Sequence, residues 1–213
     1  MDSTYCFLTE VLFYGIISIQ WSGLKRVEKG LSILNMISAS EVYHGSFSGN
    51  ILFQNAQQTR SFTAVLSNDV AWGTDSNPHF QRPTKSVYLL HGFSGCDTDW
   101  FVNAPLGEIA NRFNVNFFLP NGDNNFYLDQ PQTGCKYASY VGKEFVEYTR
   151  KKFGLSDKRE DTAIGGLSMG GFGSLHTAFL FPETFGKVIA LSSALIQNGL
   201  SFFKPDMENG MAN

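Results

Sequence analysis

A chain of 213 residues, 43% hydrophobic and 16% charged, is long enough to bury one sizeable core and reads as globular. Its net charge of −3 leaves no basic footprint for nucleic acid. The three cysteines Cys6, Cys96 and Cys135 are widely spaced with no CxxC, which points to neither a disulfide framework nor a zinc site and favours a reducing, cytoplasmic compartment.

In chain order, residues 1–42 read as an N-terminal extension ahead of a domain over 43–213. The apolar run 11–19 is about half of the ~20 residues that a membrane-spanning helix needs. Asp2 and Glu10 precede it where a secretory signal wants basic residues, so no membrane span is expected. Leu24, Val27, Leu31 and Leu34 fall at helical spacing. The segment reads as either an added helical element or upstream sequence translated from a wrong start. From 43 the pattern becomes regular. Strands are expected over 45–54 and 60–66, then a loop over 68–85 punctuated by Asn77-Pro78 and Arg82-Pro83. A buried strand over 86–90 precedes a helix over 100–113, and the strand 115–119 stops at Pro120-Asn121-Gly122. A polar and aromatic loop over 123–137 leads to a helix over 138–153. The strand 162–166, a helix over 169–181 and the strand 187–192 follow. Strands alternating with helices predict an α/β fold with a mostly parallel, doubly wound sheet. The 20 Phe read first as core and second as an apolar acyl pocket.

Two motifs carry chemistry. Gly166-Leu167-Ser168-Met169-Gly170 fits the G-x-S-x-G nucleophile elbow. Alone, such a pentapeptide is more often an ordinary glycine-rich turn, but here it stands between an expected strand and an expected helix, as the elbow requires. Glycines at 166 and 170 remove the Cβ atoms that a tight turn would crowd. The turn lifts the Ser168 hydroxyl clear of the sheet and places the Met169 amide at a helix N-terminus, where an oxyanion would form. Upstream, His91-Gly92-Phe93-Ser94-Gly95 follows a buried strand. A second oxyanion donor comes from such a loop. Gly92 lets the backbone turn so that the Phe93 amide faces the serine, with His91 in a supporting role. By itself His-Gly would only end a strand. In the loop 121–127, Asn124 and Tyr127 are candidates for substrate contact, with an Asn/Gly-rich turn as the equal alternative. Cys135 has no base near it in sequence.

Tyr88-Leu89-Leu90-His91-Gly92-Phe93-Ser94-Gly95, Asp99-Trp100, Leu119-Pro120-Asn121-Gly122, the elbow and Leu191-Ser192-Ser193-Ala194 together resemble the putative esterase family of the α/β-hydrolase superfamily. That family includes esterase D (S-formylglutathione hydrolase), tributyrin-type acyl esterases, feruloyl and acetyl-xylan esterases, and mycolyltransferases. The resemblance runs over about 43–198 and is nearest to the small tributyrin-type enzymes. It implies an α/β-hydrolase fold, Ser168 as nucleophile, and Phe93 and Met169 as oxyanion amides. It also implies a short-chain acyl ester as substrate, with no metal or organic cofactor. Thioester hydrolysis or acyl transfer is the alternative.

One departure stands out. The family's triad runs Ser, Asp, His along the chain, but after Ser168 only Glu183, Asp206, Glu208 and a single histidine, His176, remain. His176 lies ~12 Å along the helix that begins at the serine, at 1.5 Å per residue. His44, His79 and His91 precede the elbow. No triad Asp or His is identified. The expectation is a C-terminally truncated esterase with the last part of the fold missing, and a catalytically impaired fragment is a further alternative, because serine needs an adjacent base.

Overall fold

The computed structural model describes residues 46–53, 56, 58–67, 77–130 and 132–195. The expected helix in 1–42, the domain boundary at 43, and Cys6, His44, Asp206 and Glu208 lie outside the described residues.

Six strands form one sheet in the order β1-β2-β4-β3-β5-β6. The strands β1 (Ser46–Phe53) and β2 (Gln58–Val65) make an antiparallel hairpin, and β2 runs antiparallel to β4 (Val115–Pro120). From there β4, β3 (Lys85–Leu90), β5 (Thr162–Leu167) and β6 (Lys187–Leu191) are all parallel. Each strand expected from the sequence is present within two residues of its reading. The central strands are continuous apolar runs because both faces are covered. Val87 and Leu89 pack with Leu106, Ile109 and Ala110 of the helix α2 (Leu106–Phe113). Tyr88 and Leu90 join the larger cluster on the other face.

Among the described residues that larger cluster absorbs most of the aromatic side chains. Phe53, Phe62, Phe118, Tyr140 and Phe145 are all buried, and Tyr88 stacks on Phe118 with ring centroids 5.3 Å apart. The Tyr88 hydroxyl is satisfied by Thr149 Oγ1 at 2.6 Å, which makes its burial tolerable.

Two helices differ from expectation. The expected helix 100–113 is broken into α1 (Asp99–Asn103) and α2, because Ala104 precedes Pro105 and is driven to φ −139°, ψ 146°. The expected helix 138–153 is helical throughout, but α3 (Tyr137–Ser139) and α4 (Val146–Phe153) are joined by a π-helical stretch, Tyr140–Phe145. The wider turn turns Tyr140, Val141, Gly142 and Phe145 inward together. The helix α5 (Met169–Leu180) lies against β5 and β6. Among the described residues no helix is long and apolar enough to cross a membrane.

Candidate active site

The turn between β5 and α5 holds Ser168 at φ +56°, ψ −113°, a conformation that residues with a side chain rarely adopt. Such strain costs roughly 1–3 kcal/mol and persists only where its surroundings enforce it. Three backbone hydrogen bonds do so here. Ser168 N donates to Leu191 O (2.9 Å), while Ala194 N and Phe172 N each donate to Ser168 O (3.0 Å). The residues after β6 therefore clamp the turn from outside. Sequence motifs alone assign Leu191-Ser192-Ser193-Ala194 no separate role; in the structure Ser192 is itself at φ +42°.

The two glycines of the motif are required by close approach. A Cβ on Gly166 would sit 2.4 Å from Gly170 O, and one on Gly170 would sit 2.3 Å from Leu90 O. The elbow is thereby pressed against the end of β3, which brings the loop after β3 to the serine. A Cβ on Gly92 would lie 3.9 Å from Ser168 Cβ and 3.5 Å from Leu167 O, ordinary van der Waals contact. Ser168 and Gly92 thus adjoin, although 75 residues separate them in the chain. Met169 opens α5, where a helix leaves its first N–H groups without intrahelical partners. Among the described residues the Phe93 amide also has no acceptor.

Around this centre the loop after β4 is tightly fastened. Tyr127 is fully buried at φ +56°, and its hydroxyl donates to His91 O at 3.3 Å. Burial pushes that phenol well above its ordinary range, so it stays a protonated donor. The Asn124 carboxamide oxygen accepts from Ser94 N at 2.6 Å. Asn124 therefore braces the loop 92–95 and Tyr127 the His91 carbonyl before it; Tyr127, a candidate for substrate contact in the sequence, has no surface to offer. Arg60 pairs with Asp123 at 2.6 Å and donates to the Tyr137 hydroxyl, which in turn donates to Asp123 at 2.6 Å. The cluster pins the loop after β4 to β2.

The histidines are accounted for one by one. His91 is 1% exposed, with Nδ1 2.8 Å from Gly92 O and Nε2 2.9 Å from Gly122 N. His176 stacks on Phe172, ring centroids 5.8 Å apart and planes within 6°. His79 packs edge-on against Phe113 near Arg82. Among the described residues no histidine hydrogen-bonds to Ser168. Rings run away from the loop after β3, Phe93 to Phe126 to Phe172, with centroids 6.1 Å apart at each step, so part of the aromatic content does border the centre.

A shallow cleft is lined by His79, Arg82, Lys85, Asp161, Lys187 and Ile189. It lies at the amino ends of β3, β5 and β6, roughly 17 Å from Ser168 along β5 at ~3.3 Å per residue. Ligands of open α/β sheets bind at the carboxyl ends, where Ser168 is.

Because glycine tolerates φ +56° without a Cβ penalty, Ser168→Gly is expected to stabilise the fold by about 1 kcal/mol while Ser168→Ala does not. Urea unfolding of the two variants checks this. Equal stability would mean that the turn carries no strain.

Comparison with known proteins gives the family and the fold. The model of the family described as Putative esterase matches residues 75–207. An acetyl esterase of Caldicellulosiruptor saccharolyticus is 43% identical over 129 residues, covering 61% of this chain and 48% of the relative. The fluorophosphonate-binding serine hydrolase F of Staphylococcus aureus superposes with a TM-score of 0.60 at 29% identity, over 70% of this chain and 56% of that one. An S-formylglutathione hydrolase from the same organism gives a TM-score of 0.58 at 26% identity, over 75% and 58%. The sheet and helices described above are those of an α/β-hydrolase. The chain spans about half the length of the curated relative it matches.

Proposed function

The chain belongs to the putative esterase family, and on that premise we propose that Ser168 is the nucleophile of a carboxylic ester hydrolase acting on short-chain acyl esters. What carries the reading is the strained turn at Ser168, held against the loop after β3. In the proposed reaction the Ser168 oxygen attacks the acyl carbonyl carbon and its proton passes to a base. The carbonyl oxygen becomes an oxyanion held by the Phe93 and Met169 amides. The C–O bond to the alcohol breaks as that oxygen takes up a proton, and water then releases the acid from the acyl-enzyme. Oxyanion donors matter because they are fixed before charge develops; each is worth ~10²–10³ in rate where one has been removed from a hydrolase.

The acetyl esterase relative, at higher identity than the S-formylglutathione hydrolase, favours an oxygen ester over a thioester. We place the activity in the domain 43–213 and in a reducing, cytoplasmic setting, a location supported by the free thiols of Cys96 and Cys135. A small acyl ester rather than nucleic acid suits the net charge of −3.

The test is acyl transfer to the serine itself. After incubation with p-nitrophenyl acetate, mass spectrometry of the peptide containing Ser168 is expected to find one acetyl group, absent from Ser168→Ala. Acetylation at the same level in both proteins would remove Ser168 from the nucleophile's role.

A further inference from the structure

The geometry points to His91 as the residue that aims the Phe93 amide, a positioning role that rests on the esterase reading of the site. Gly122 N–H can only donate, so the Nε2 that faces it at 2.9 Å must be the bare, accepting nitrogen of the ring. The neutral imidazole then carries its hydrogen on Nδ1, and that N–H donates to Gly92 O at 2.8 Å. Gly95 N–H donates to the same oxygen at 3.1 Å.

The carbonyl of Gly92 and the N–H of Phe93 belong to one planar trans peptide and point in opposite directions. Holding the oxygen therefore sets the direction of the N–H. A peptide following glycine is unusually free to rotate, since no Cβ restricts the backbone on that side. Without a tether, the Phe93 amide could turn its carbonyl neighbour toward the serine and offer an oxyanion no donor. His91 supplies that tether together with the Gly95 N–H, and its hydrogen bond is the shorter of the two. The ring itself is set by Gly122 N–H on Nε2 and by the Tyr127 ring edge-on at 5.9 Å, while the Tyr127 hydroxyl holds the His91 backbone carbonyl. The order along the chain, a histidine immediately before the glycine, lets the side chain reach the next residue's carbonyl.

Asparagine and glutamine divide the two functions of the ring. His91→Asn puts an amide N–H where Nδ1 stands and nothing at Nε2. His91→Gln puts a carbonyl oxygen near Nε2 and no donor at Nδ1. The full chain and both variants are to be compared by the rate of Ser168 acetylation with p-nitrophenyl acetate, by thermal unfolding, and by crystal structure. His91→Gln is expected to acetylate about 10²-fold more slowly with substrate binding unchanged, the loss typical of one oxyanion donor. His91→Asn is expected to recover the rate to within about tenfold of the parent, whatever it loses in Tm. The Phe93 N–H should point away from Ser168 in the Gln variant and toward it in the Asn variant. A Gln variant as fast as the parent, or an Asn variant as slow as Gln, overturns the assignment. If the parent itself shows no Ser168-dependent acetylation, the esterase reading fails, and the peptide direction in the two crystal structures still decides the role of His91. If His91→Gln does not fold, nitrogen NMR of the parent's imidazole decides: protonation at Nδ1 is expected, and an Nε2–H tautomer overturns it.

Discussion

A protein that brings a histidine to Ser168 is expected to hydrolyse p-nitrophenyl acetate ~10²–10⁴-fold faster than the 213-residue chain, the usual worth of a general base. The reason is local. Serine is a weak nucleophile until a neighbour takes its proton, and all three described histidines are engaged elsewhere: His91 in the loop after β3, His176 against Phe172, His79 beside Phe113. Where no base reaches Ser168, the proposed oxyanion amides and binding alone leave at most ~10³–10⁴-fold acceleration over water. The experiment introduces a histidine beside Ser168 in the 213-residue chain and compares hydrolysis with and without Ser168→Ala. The gain should vanish with the serine. Rapid, serine-dependent turnover by the 213-residue chain that is lost in His44→Ala would instead make His44 the base.

Adding a single methyl group at Gly170 is expected to cost about 3 kcal/mol or more of stability, against a gain elsewhere. In an unobstructed helix, Gly→Ala stabilises by about 0.5–1 kcal/mol because glycine loses more backbone entropy on folding. Gly107 in α2 is such a position, with nothing within 4 Å of an added methyl, so Gly107→Ala should stabilise. At Gly170 the same methyl would sit 2.3 Å from Leu90 O and 2.7 Å from His91 O, backbone atoms at the end of a central strand that cannot step aside. Gly170→Ala must therefore move α5 off the sheet or separate the elbow from the loop after β3. Thermal and urea unfolding of the two variants should show opposite signs. A Gly170→Ala protein as stable as the parent would mean that the elbow does not press on β3.

Much of this is legible in the amino-acid sequence. The strands read from apolar runs and turn residues, because burial on both faces leaves a continuous hydrophobic signature over 86–90, 115–119 and 162–166. The elbow is legible because its sterics are local: glycines two before and two after the serine leave few conformations. What local pattern does not carry reads less well. The π-helical stretch at Tyr140–Phe145 leaves no spacing cue. The break at Ala104-Pro105 hides inside an otherwise helical run, although proline's effect on the preceding residue is a sequence signal.

By itself the sequence determined the α/β layering, the strand-turn-helix around Ser168, and the membership signalled by its motifs. Only the tertiary structure decided what each residue near the serine does. Tyr127 fits substrate contact as sequence, yet it is fully buried with its hydroxyl on the His91 carbonyl, and the Asn124 carboxamide holds Ser94 N. His91 could be read as a marker of its loop, whereas its two ring nitrogens join the peptide before Phe93 to the loop after β4. The clamp on Ser168 comes from Leu191 and Ala194, two dozen residues downstream. The physical reason is that these interactions are hydrogen bonds between loops at the carboxyl ends of different strands. Strand order in the sheet, not spacing in the chain, chooses those neighbours.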